Sequence, residues 1–189
     1  TNSFSGDIPD IFAGLTNLAE LRLSLNFFEG ALPTSLLNLD SLVLLDLSQN
    51  QLRSSIPETW TGLPSLTNLN FDGCRLIGEI PAGIADLASL RVLNLSDNLL
   101  DNPIPAEITA LTALEELLVT QTTLSGQTPF LENLRLLHIG TTFLRLDRRY
   151  YSSSNLQTLE IPSNGLREDD LPGPDDVSES LRSLNLAGN

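Results

Sequence analysis

Leucines in this chain recur in threes. Leu18, Leu21 and Leu23 form one trio, and it returns at Leu42, Leu66, Leu90 and Leu114 with an unbroken spacing of 24 residues. Looser copies start at Leu134, Leu156 and Leu181, after steps of 20, 22 and 25 residues. Within each L-x-x-L-x-L the last two apolar residues lie two apart, which puts both on one side of a short extended strand and their neighbours on the other. One copy is too small to bury its own leucines, so stacked copies must supply the core and align the strands into a parallel sheet. After each strand the chain must turn back: Gly30, Gly78 and Gly126 permit the bend, while Pro33, Pro57, Pro81, Pro105 and Pro129 stop a helix from running on. Prolines at matching positions argue against a helical bundle.

These periods predict a single solenoid segment over 1–189, with about eight coils plus a partial N-terminal one and both ends falling mid-repeat. Residues 1–133 hold the regular 24-residue repeats and 134–189 the irregular ones. The opening NSFSGDIPDIFAGLTN matches the second half of a copy.

The composite pattern L-x-x-L-x-L-x-x-N-x-L-x-G-x-I-P, with LNLSDNLLDNPIP and FDGCRLIGEIP as close copies, resembles the plant-type leucine-rich repeat. That resemblance implies an α/β solenoid, a right-handed superhelix with a concave parallel β-sheet and a convex side of short 3-10 turns and loops. It also implies kinship with extracellular domains of receptor-like kinases, receptor-like proteins and secreted inhibitors, which bind peptides, small ligands or other proteins. The expected location is therefore secreted or the ectodomain of a membrane receptor. Two departures stand out: the paired-cysteine caps of such arrays are absent, and the I-P half of the motif is lost after Pro129. A single cysteine fits an oxidising or a reducing compartment, so an intracellular location stays open.

Charge narrows the partners. The net charge is −14, and all ten basic residues are arginine. Such a surface repels phosphate backbones, which argues against nucleic acid. No apolar run approaches the roughly 20 residues of a membrane-spanning helix, so this segment is not expected to insert.

Candidate chemistry is sparse. Cys74 is the only cysteine and falls in line with Asn26, Asn50, Asn98, Asn164 and Asn189, with Thr122 and Thr142 as other substitutes. That frame predicts an inward side chain satisfying backbone groups at the turn, with the thiol standing in once for a carboxamide. His138, the only histidine, lies in an outward slot between Leu137 and Ile139, with Glu160 in the same slot one coil on. No nucleophile or oxyanion hole accompanies it, so we expect no catalytic residues, no cofactor and no metal site. Asp46, Asp72 and Asp97 are spread along the sheet rather than converging as calcium requires, and the acidic run from Glu168 to Asp170 reads as a solvated loop. Asn94-Leu95-Ser96 is the only N-x-S/T sequon, so Asn94 is a candidate for glycosylation.

Function is then expected in the outward strand positions, which the core does not need. The candidates on that face are Arg22, Asp46, Asn70, Val92, Leu118, Arg135, Leu136, His138 and Glu160. Leu118, Leu136 and Val92 would form an apolar patch on a polar sheet. Beside them the irregular FLRLDRRYYSSSN offers Arg148, Tyr150 and Tyr151, residue types enriched at interface hot spots. The predicted function is non-catalytic recognition of a protein, peptide or glycan. The alternative is a structural or assembly subunit that packs against other proteins or its own copies.

Overall fold

The computed structural model describes residues 2–173 and 175–189. Eight short strands pair in parallel, each with its sequence neighbour, into one sheet. They are Glu20–Arg22, Leu44–Asp46, Asn68–Asn70, Val92–Asn94, Glu116–Leu118, Leu136–His138, Thr158–Glu160 and Ser183–Asn185, and we number the coils one to eight by them. The register stacks the middle leucines in one row, Leu21 on Leu45, Leu45 on Leu69, and onward to Leu184. Those of coils two to seven are buried while the residues on either side are half-buried, as period-2 alternation demands. Each such leucine contributes roughly 1.5–3 kcal/mol by leaving water. A single apolar cluster runs from Ile8 to Ile161.

At the end of each strand the chain passes through a left-handed residue. Leu25, Gln49, Gly73, Asp97, Gln121, Thr141, Ser163 and Gly188 all have φ between 51° and 74°. Non-glycine residues resist this conformation by about 1–2 kcal/mol, so something must hold it, and the next side chain does. Nδ2 of Asn50 donates to the Leu47 carbonyl at 2.8 Å and to that of Leu23, one coil back, at 3.0 Å. Its Oδ1 accepts from the Phe28 amide at 3.0 Å. Asn98 repeats the arrangement with Leu95, Phe71 and Leu76. Each such asparagine is a rung between two coils.

Cys74 occupies that position in coil three, fully buried, with Sγ donating to the Leu47 carbonyl at 3.1 Å. Burial pushes its pKa up to about 12, aided by Asp72 and Asp46 and opposed by the Asn50 backbone amide. A thiol cannot, however, take over the acceptor half of the rung. The amide of Leu52, the counterpart of Phe28 and Leu76, has no acceptor among the described residues. Cys74→Asn is therefore expected to stabilise the protein by about 1–2 kcal/mol, since it satisfies a buried donor. Chemical denaturation would show the midpoint rising, and a lowered midpoint would mean that the carboxamide does not fit.

Behind the sheet the coils return through 3-10 segments at Leu36–Asn38, Ala82–Asp86, Ala106–Ala110, Arg148–Tyr150 and Glu168–Asp170. A feature the sequence did not announce lies between. Short parallel pairs join Ser5–Asp7 to Phe27–Glu29, Ile77–Gly78 to Leu99–Leu100, and Ser125–Gln127 to Phe143–Arg145. They leave Phe27, Ile77, Leu99 and Phe143 exposed.

The irregular coils change this return. Coil five is 20 residues long, four short of the regular repeat, and like coil two has no 3-10 segment among its described residues. Tyr150 reaches into the space from coil six, its hydroxyl donating to the Pro129 carbonyl at 2.6 Å and accepting from the Leu131 amide at 3.0 Å. Its ring lies 5.0 Å from that of Phe130.

Candidate functional site

The outward side chains of the sheet form ordered columns. Register places Arg22, Asp46, Asn70, Asn94, Leu118, His138, Glu160 and Asn185 in one column across all eight coils. Beside it run Glu20, Leu44, Asn68, Val92, Glu116, Leu136, Thr158 and Ser183. Of the candidate residues on this face, Leu118 stands next to His138, while Glu116 lies between Val92 and Leu136 and interrupts the apolar patch expected of them. All are half-buried in the open sheet. Nε2 of His138 lies 3.6 Å from Oε2 of Glu160, the cross-strand contact that the register makes available.

A groove of about 290 Å³ runs over coils one to five. Leu44, Val92 and Leu118 give it apolar ground, while Arg22, Asp46, Asn68, Asn70, Asn94 and Glu116 supply polar groups. Leu44, Asn68 and Glu116 were not singled out from the sequence, although they share a column with Val92 and were legible on that basis. Asn94 sits in the groove with its Oδ1 accepting from the Ser96 amide at 3.1 Å. A glycan on Asn94 would fill this groove.

The margin where the strands begin has a different character. Arg91 and Arg135 flank Glu115, with Arg135 at 3.6 Å, and Arg182 and Glu179 extend a polar hollow of about 510 Å³. Exposed pairs of this kind contribute little stability but set the local field. On the other margin Asp97 is held above the usual carboxylate range, first by desolvation and then by Asp72.

The irregular segment corrects the sequence-based expectation. Tyr150 and Tyr151 are each only 1% exposed, so neither offers a side chain to a partner; both pack the returning side of the coil. Arg148 donates to the carbonyls of Asp169 and Leu171 at 3.0 and 3.2 Å and approaches Asp176 at 3.5 Å. It braces the acidic loop that follows. Arg149 forks onto Asp147, which lowers that carboxyl's pKa, and lies over the Phe130 ring at 4.5 Å. With Arg135 near Glu115, three arginines of coil six face carboxylates of their own chain. Among the described residues no group of three or more His, Cys, Asp or Glu could hold a metal ion, and no helix is long and apolar enough to cross a membrane.

Coils built on a leucine row, an asparagine ladder and one parallel sheet define a leucine-rich-repeat solenoid. The Leucine rich repeat family profile matches residues 16–76, and a second profile of that description matches 89–111. The chain is a plant-type leucine-rich-repeat protein that resembles receptor ectodomains. PEPR1–AtPEP1 is 30% identical over all of this chain and 27% of its own length, with a TM-score of 0.86. The plant peptide hormone receptor RGFR1 in complex with RGF2 is 29% identical over 85% of this chain and 27% of its own, with a TM-score of 0.79. The Arabidopsis receptor kinase HAESA, in complex with the peptide hormone IDA and the co-receptor SERK1, is 31% identical over 85% and 28%, with a TM-score of 0.78. The chain thus spans little more than a quarter of the length of each. No curated protein matches it.

Proposed function

We propose that this chain is a non-catalytic recognition module that binds a peptide or an extended segment of a protein on the concave face of its sheet. The observation that carries this reading is the groove over coils one to five, where apolar side chains stand among polar ones on a face the core does not need. Similar solved structures hold peptide hormones, which favours a peptide over a glycan as the main ligand. The same likeness supports an extracellular setting, as part of a receptor ectodomain. The mechanism is presentation: leucine row and asparagine ladder hold the strands in register, so the outward columns meet a ligand already arranged and bind it with little ordering cost.

The test is selection of displayed random decapeptides on the wild-type chain and on a Val92→Arg/Leu118→Arg chain. Both replacements point away from the core. Peptides enriched on the wild type and lost on the double variant are the expected result. Absence of any enrichment that depends on these two residues would sink the reading.

A further inference from the structure

Carboxylates stand toward both ends of the groove, and the one cationic residue that lines it, Arg22 beside Asp46, is neutralised by its own ion pair with Glu20. Asp46 stands at one end, its Oδ1 accepting only from the Ser48 amide at 3.0 Å and the Ser48 hydroxyl at 2.7 Å. Glu116 stands at the other. Neither pairs with a cation among the described residues, and the nearby arginines are engaged elsewhere, Arg22 with Glu20 and Arg91 with Glu115. Between the two carboxylates lies Val92, one strand from Glu116 and two from Asp46, while Leu44 shares a strand with Asp46 and Leu118 with Glu116.

The asparagines of the groove add a second, independent feature. Oδ1 of Asn68, Asn70 and Asn94 accepts from Thr67 Oγ1 and from the amides of Asp72 and Ser96 respectively. Their Nδ2 groups have no acceptor among the described residues, so three carboxamide donors face the groove unused. Backbone carbonyls of an extended chain are the matching acceptors, which a free polyamine would lack.

We propose that this groove takes an extended peptide segment carrying two cationic side chains four residues apart with an apolar side chain midway, a refinement that rests on the peptide recognition proposed above. The spacing follows from the sheet. Asp46 and Glu116 are three strand spacings and two residues apart, roughly 16 Å at about 4.8 Å per strand and about 3.3 Å per residue. Residues i, i+2 and i+4 of an extended peptide lie on one face, and the outer two are roughly 13 Å apart, a difference that flexible Lys or Arg side chains span. The middle residue then falls between coils three and four, with Val92 as its apolar neighbour, while the carbonyls meet the donors of Asn68, Asn70 and Asn94 around it.

The sequences enriched by the decapeptide selection decide it. Lys or Arg at i and i+4 around an apolar i+2 is the expected signature. A synthetic peptide of that sequence should bind the Asp46→Asn/Glu116→Gln chain at least tenfold more weakly than the wild type, and raised salt should weaken it further. Equal binding to both chains would assign the attraction to the acidic surface at large and overturn the proposal. Enriched peptides that need Val92 and Leu118 but lack the cationic pair would overturn it too, while leaving peptide recognition intact.

Discussion

Tyr150→Ala is expected to destabilise the protein by about 3–5 kcal/mol, the range for removing a fully buried aromatic side chain. The reason lies in the coil before it. Coil five is four residues short of the regular repeat, and the backbone left there, the Pro129 carbonyl and the Leu131 amide, would be buried without partners. The Tyr150 hydroxyl serves both, and its ring fills the space beside Phe130. Two milder replacements separate these roles. Tyr150→Phe keeps the ring and abandons two backbone groups, at about 1–3 kcal/mol. Tyr151→Phe removes a buried hydroxyl that has no hydrogen-bond partner among the described residues, so it should be neutral or slightly stabilising. Denaturant titration of the three proteins checks the order, and equal effects of the two Phe variants would refute the account.

Gly83→Ala is expected to cost about 3 kcal/mol, at the upper end for inserting one methyl into packed surroundings. A Cβ at Gly83 would collide with the Glu58 carbonyl oxygen one coil back and lie 2.8 Å from its carbon. Both are backbone atoms, so no side chain can swing aside and the two coils must separate. Gly62 meets the Leu37 carbonyl in the same manner. Gly14→Ala is the control, because open space surrounds that position and its φ is not left-handed. Thermal unfolding should show a clear drop for Gly83→Ala and almost none for Gly14→Ala; similar curves would mean that the stack yields easily.

How much of this was readable beforehand depended on repetition. The strands were legible because Leu45, Leu69 and Leu93 sit at fixed positions in identical copies, and steps of 20, 22 and 25 residues located the later strands as well. The inward direction of Cys74 followed from its alignment with Asn50 and Asn98. The small pairs on the other side were not legible, because Ile77–Gly78 and Leu99–Leu100 are too short to show alternation. The left-handed column escaped for a related reason: glycine marks it only at Gly73 and Gly188, while Leu25 and Gln49 carry no such mark. Tyr150 and Tyr151 were misread because residue type alone cannot say whether an aromatic faces a partner or fills a gap, and the gap arises in a different coil. The groove needed the register, which brings Asp46 and Glu116 to the two ends of one surface although 70 residues of chain separate them (116 − 46).

The uneven asparagine ladder has a mechanical consequence. Rungs that accept from the preceding coil are present at Asn26, Asn50, Asn98, Asn164 and Asn189 and missing at Cys74, Thr122 and Thr142, where the side chains bond carbonyls or Asn164 instead. The solenoid is therefore a spring of unequal stiffness, clamped toward both ends and slacker at three joints in the middle. Two of those joints, Cys74 and Thr122, lie in the coils that carry the groove, where neighbouring coils share fewer side-chain hydrogen bonds than at either end. Slower amide exchange around coils two and three in the Cys74→Asn protein would register the tightening of one such joint.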